Sequence, residues 1–431
     1  MPATCWNSCT PMTAQPLPVN SPAAPIRSWL RIALVNFLVA ALLGALLRYA
    51  FVAELAWMNF RFVQHGHSHV AMLGWLYLAL YALLIGTFLP ESAQNRLFYR
   101  QLFWLTQLSV LGMLLTFPLQ GYAAGSIAFS TLHVLCSYAF AWRFLRDLRG
   151  AAARLKASGI FVRAGIWLML LSSMGLWAMG PVMALDPGKG VAYYMAVQFY
   201  LHFQFNGWYV FAVLALFFHW MEKERIPVNP GHSRPFFWLL LASCLLTYAL
   251  ALTWANPLDA LFYVNSAGVL LQLAALYFFL RMVQAHGQAI RARWGGMAAA
   301  LFFIAFASFC LKILFQAAAV IPVIATVAYT IRNFVIGFFH LVLLGIITHF
   351  VLGYALQVRL LYPGQGLVRW GLYLFMVGFL LSEAVLFGQG VMLWAALGFL
   401  PGYYALLFGV SVLMPLGILL LALDRRGYLP P

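Results

Sequence analysis

Long, mostly apolar, nearly uncharged runs recur almost without break from about residue 28 to residue 423, separated by short segments in which Arg, Lys, Gly and Pro gather. About 20 apolar residues suffice to cross a hydrocarbon core of roughly 30 Å, and a chain in lipid must satisfy its own backbone, so each run is read as a helix. The pattern predicts twelve transmembrane helices, near 28–50, 66–90, 101–120, 124–145, 160–184, 191–219, 236–254, 259–281, 297–320, 328–356, 368–389 and 400–423. The expected fold class is therefore an all-α polytopic membrane protein. A single membrane domain covers 28–431, and residues 1–27, rich in Pro, Ala, Ser and Thr, read as a disordered tail and not as a signal peptide.

Composition agrees, with 65% hydrophobic and 8% charged residues where a soluble domain carries about 25% charged. The net charge of +16 does not point to nucleic acid, because the basic residues are sorted by loop. Twenty of the 25 Lys and Arg residues fall on the side of the two termini, from Arg27 and Arg31 through the Arg143 to Arg163 cluster to Arg425 and Arg426. Arg48, Arg61 and Lys189 lie on the other side, and Lys312 and Arg332 within or at the edge of helices. By the positive-inside rule both termini are expected to be cytoplasmic, in a multi-pass membrane protein with lipid around it. The five cysteines, at 5, 9, 136, 244 and 310, make no disulfide framework or zinc spacing.

The most specific stretch is Gln64 to Pro90, QHGHSHVAMLGWLYLALYALLIGTFLP, where His65, His67 and His69 open a long apolar run. Polar residues in lipid are costly unless paired or ligated, and imidazole is a ligand for haem iron, copper or zinc. His133, His202 and His340 fall ten to twelve residues into the fourth, sixth and tenth helices, which begin on the same outer side, so all these imidazoles could share one layer. Residues two apart on a helix point about 200° apart, so His65 and His69 could share a face and His67 could not. His349, nine residues after His340, is expected on the opposite face, whereas His219, His232 and His286 are expected to face solvent. Glu54 and Glu383 are placed near helix ends, in water. No ladder of acidic residues leads inward, which argues against an efficient proton pump.

Three further windows carry a resemblance: YLHFQFNGWYVF around His202, RNFVIGFFHLVLLG around His340 and TLHVLCSYAF around His133. With helices 2, 6 and 10 each bearing a histidine at similar depth, the chain resembles the haem-copper oxidase large subunits, the superfamily of cytochrome oxidase subunit I and the nitric oxide reductase large subunit. The resemblance implies twelve helices with both termini inside and a low-spin haem b held by one His of helix 2 and by His340. His65, His67 and His69 all remain open as the helix 2 ligand. It further implies that Lys312 and Arg332 face the haem propionates, that His202, and His133 in a rebuilt site, serve a second metal such as copper, and that a cytochrome c-type or quinol donor and small accessory subunits are partners.

The departures from that family are specific. Phe338 stands where the family has the first His of an HxH, residues 236–254 contain no histidine, and Asn206 replaces the Tyr or Glu one turn after His202. The resemblance thus implies respiratory electron transfer, or nitric oxide or oxygen chemistry with an incomplete binuclear ligand set. Two alternatives remain open: the NnrS family of haem and copper membrane proteins tied to nitric oxide stress, and a cofactor-free transporter using the histidines for metal or protons.

Overall fold

The computed structural model describes residues 24–151, 155–186, 188, 190–253, 258–362 and 366–423. Residues 1–23, with Cys5 and Cys9, and Arg154, Lys189, Arg425 and Arg426 lie outside the described residues. The described residues are mostly helical, with no strand among them, and twelve helices are long and apolar enough to cross a membrane. They are α1 (Pro25–Tyr49), α2 (Phe60–Phe88), α3 (Leu97–Gln120), α4 (Ala124–Gly150), α5 (Ala157–Leu185) and α6 (Val191–Lys223). Then follow α7 (Pro230–Thr253), α8 (Asp259–Ala285), α9 (Gly296–Ala318), α10 (Arg332–Gln357), α11 (Gly366–Trp394) and α12 (Tyr403–Leu423). The chain is thus an all-α polytopic membrane protein.

Burial divides the twelve into two classes. In α2, α6 and α10, 83%, 94% and 61% of the apolar stretch is buried, against 28–50% in the other nine. These three are central, and the others wrap them with large apolar side chains such as Trp104, Trp167 and Trp238 turned outward. Neighbours along the outer belt pair tightly, and α12 closes back on α1. At the α11–α12 crossing a Cβ on Gly371 would lie 2.6 Å from the Gly417 carbonyl oxygen, so the backbones meet there with no side chain between them.

Each central helix contains a π-helical stretch: Val70–Tyr77 in α2, Phe203–Tyr209 in α6 and Leu341–Thr348 in α10. Each is immediately preceded by a histidine, His69, His202 or His340. Such widened turns are frequent at functional sites. Carbonyls within them accept bonds from other helices. Tyr209 Oη donates to Met72 O at 2.8 Å, and Asn36 Nδ2 donates to Gly74 O at 2.9 Å. Trp75 Nε1 donates to Thr348 Oγ1 at 3.0 Å, and the Phe205 and Phe339 rings meet at 5.4 Å, so each pair of central helices is joined.

Several sequence-based expectations need correction. Helix α1 begins before residue 28, since Pro25 suits a first helical turn and Ile26 is buried beside Gly86. Helix α2 begins at Phe60, with the Asn59 side chain accepting from Phe62 N, so the three histidines lie within the helix and not at its mouth. Helix α6 runs on to Lys223, which draws His219 in against Phe88 at 5.1 Å. Helix α11 runs on to Trp394, and Glu383 is buried mid-helix instead of in water. His340 and His349 both meet α11, the first at Glu383 and the second at Phe375 and Phe379, because the intervening π turns change the angular phase.

Candidate functional site: a cavity between histidines of two central helices

A cavity of about 1120 Å³ lies on the side of the bundle where α2 and α10 begin. It exceeds the roughly 300–1,000 Å³ of an ordinary small-ligand site. His65, His67, His69, His133, His340 and Arg332 all line it. His202 and Lys312 do not.

The α2 histidines divide by face. His67 turns to α1, where its Nδ1 lies 2.8 Å from Ala40 O; a carbonyl only accepts, so Nδ1 carries the proton and Nε2 keeps a lone pair. His65 and His69 turn to α3 and the turn after it. The His69 ring stacks on Phe117 at 4.1 Å and its Nδ1 donates to His65 O at 2.9 Å, while His65 meets Tyr122 edge-on at 4.7 Å. His69 is within electrostatic reach of His133, whose ring packs on Tyr77 and whose buried Nε2 has no hydrogen-bond partner.

His340 lines the same cavity, within electrostatic reach of His67. His340 Nδ1 is buried toward α11, 3.7 Å from Glu383 Oε1, which leaves the open part of the ring to the cavity. Arg48, Arg61 and Arg332 also line the cavity; Arg48 and Arg332 are close enough to interact, and the Arg332 guanidinium lies over the Phe60 ring at 5.8 Å. Phe37, Phe339 and Phe375 supply flat apolar walls. The chamber thus offers two imidazoles from facing helices, an aromatic lining and guanidinium groups, a donor set suited to a planar anionic macrocycle.

His202 is engaged elsewhere. Its Nε2 donates to Cys244 O at 2.8 Å and its Nδ1 accepts from Asn206 Nδ2 at 3.4 Å, so neither ring nitrogen is left for a metal in this arrangement. Buried Lys312 lies within electrostatic reach of His202 and Cys244, in the sector of α6, α7 and α9, and so does not share the cavity with Arg332. The face each side chain takes was not legible from the spacing. Among the described residues no three His, Cys, Asp or Glu side chains converge as a metal-ion site, and His133 and His202 stand apart. Sequence reasoning missed Arg48 and Glu383, both close to the cavity's histidines. A basic residue in the last turn of α1 and a lone acid inside an apolar run were the available signals.

The chain matches no protein-family model and no curated protein.

Proposed function

We propose that the protein is a haem-binding membrane protein related to the haem-copper oxidase large subunits, working in electron transfer through a haem b held by His67 and His340. The observation that carries this reading is that His67 and His340, on two of the three central helices, border one large cavity together with Arg48 and Arg332. The residues fit the group. His67 has its tautomer set by Ala40 O, the absence of a side chain on Gly44 leaves room for its ring against α1, and guanidinium groups stand ready for propionates. Bound there, the haem supplies a one-electron redox centre. The chain's own part would be to offer two imidazoles, bury the macrocycle and neutralise its carboxylates.

Electron transfer is favoured over reduction of oxygen or nitric oxide because those reactions need a second redox centre beside an open haem position. Phe338 replaces one family ligand, residues 236–254 contain no histidine, and both nitrogens of His202 are occupied. Inner-membrane location, cytoplasmic termini and a cytochrome c-type or quinol donor belong to the same proposal. A second reading, an NnrS-like protein carrying copper as well, is supported by His69 and His133 facing the same cavity.

The test is a reduced-minus-oxidised optical spectrum of the purified protein, with carbon monoxide added to a second aliquot. A b-type signal insensitive to carbon monoxide is expected. A carbon monoxide shift would restore a catalytic haem, and no haem signal from haem-replete cells would leave the transporter reading in front.

A further inference from the structure

Glu383 is the only buried Asp or Glu among the described residues. It sits mid-way along α11, and both carboxylate oxygens are buried without a hydrogen-bond partner. His340 Nδ1 is also buried without a partner, and it faces Glu383 Oε1 across 3.7 Å. Three orphaned polar atoms on two sides of one gap are hard to account for separately, since an unpartnered carboxyl in a membrane interior is costly. Closing the gap by about 0.5 Å brings the pair into hydrogen-bond range and satisfies both residues. Arg48 is within electrostatic reach of the same carboxyl, with Arg332 and Tyr403 beside it, so positive charge faces Glu383 from α1 and α10.

We propose that Glu383 is the positioning partner of the histidine that would ligate the haem: its carboxylate accepts the Nδ1–H of His340, sets the ring so that Nε2 faces the cavity, and makes the imidazole more electron-donating. The inference rests on the haem reading above and goes beyond it by naming what sets the properties of one ligand. A ligating His generally passes its second N–H to such an acceptor, and loss of the acceptor commonly costs 10–100-fold in metal affinity. On the α2 side, the backbone carbonyl of Ala40 fills that role for His67. The two imidazoles are thus unequal: one is backed by a neutral carbonyl, the other by a carboxylate. A carboxylate-backed imidazole favours the ferric state.

The experiment compares full-length wild type, Glu383→Gln and Glu383→Asp by haem content, redox titration and low-temperature EPR of the ferric haem. Glu383→Gln keeps the shape and is expected to move the ferric–ferrous equilibrium about tenfold toward ferrous, about 59 mV upward for one electron, with altered low-spin g-values. Glu383→Asp keeps the charge but draws the carboxyl back by one methylene, and is expected to follow Gln. An Asp variant indistinguishable from wild type would reduce Glu383 to a countercharge for Arg48 and overturn the proposal, as would a Gln variant with unchanged potential and EPR. Wild type without haem would overturn the underlying reading and this one together. Haem present in wild type with no effect of either substitution would overturn this one alone.

Discussion

Ala40 O holds His67 Nδ1 at 2.8 Å one turn before Gly44, where an added Cβ would come within 2.9 Å of His67 Cε1. The hydrogen bond and the missing side chain act on one ring, the first by attraction and the second by making room. A Gly44→Ala change displaces the ring slightly, whereas Gly44→Leu fills its place. We expect Gly44→Leu to yield a membrane-inserted protein whose haem occupancy falls by about tenfold or more, in line with losses when a ligand's supporting contacts are disturbed. Pyridine haemochrome quantitation of the purified variant checks this.

The choice of His67 among the α2 histidines is testable by alanine substitution. His67→Ala and His340→Ala are expected to abolish the b-type spectrum. His65→Ala and His69→Ala, whose rings face Phe117 and Tyr122, are expected to retain it, as is His202→Ala, which lies outside the cavity. Loss of the spectrum in His69→Ala with retention in His67→Ala would exchange their roles.

Asn36 and Gln107 form a reciprocal amide pair between α1 and α3. Asn36 Nδ2 donates to Gln107 Oε1 at 2.7 Å, and Gln107 Nε2 donates back to Asn36 Oδ1 at 3.0 Å. Asn36→Leu strands the Gln107 amide in an apolar surround, at about 1–3 kcal/mol. Removing both amides avoids the stranded group, so Asn36→Leu/Gln107→Leu is expected to cost less than the sum of the single changes. Thermal unfolding midpoints of the four proteins in detergent form the cycle that measures this coupling.

The Thr348 hydroxyl accepts from Trp75 Nε1 at 3.0 Å while donating to Leu343 O at 2.8 Å, tying two central helices at their widened turns. Trp75→Phe is expected to destabilise by about 1–3 kcal/mol, since it removes the indole donor and some volume from a buried site. Haem content, measured on the folded fraction, is expected to be unchanged.

The sequence made the helix count legible because each span is a long apolar run, and most ends fell within a few residues of the structure. It failed where a helix faces a polar chamber instead of lipid. The segment Phe60–His69, with Arg61, Gln64 and three histidines, looks too polar to be membrane helix, yet it lines the cavity wall. Residue counting put the candidate histidines in one layer but could not give angular phase, so Lys312 was grouped with Arg332 although it belongs with His202 and Cys244. Glu383 was misplaced for a simpler reason: the eleventh helix was expected to end near 389, while it continues to Trp394.

The widened turns of α2, α6 and α10 carry a consequence for how the chain tolerates changes of length. A π turn accommodates a surplus residue that a regular helix would not hold, and one residue of α-helix corresponds to about 100° of rotation. Removing one residue from Val70–Tyr77 would therefore let α2 relax to ordinary winding and swing one half about its axis relative to the other. His67 and the contacts at Gly74 and Trp75 could then no longer both meet their partners on α1 and α10. The composition would barely change and the apolar run would still span, so the loss would fall on the chamber and not on insertion into the membrane.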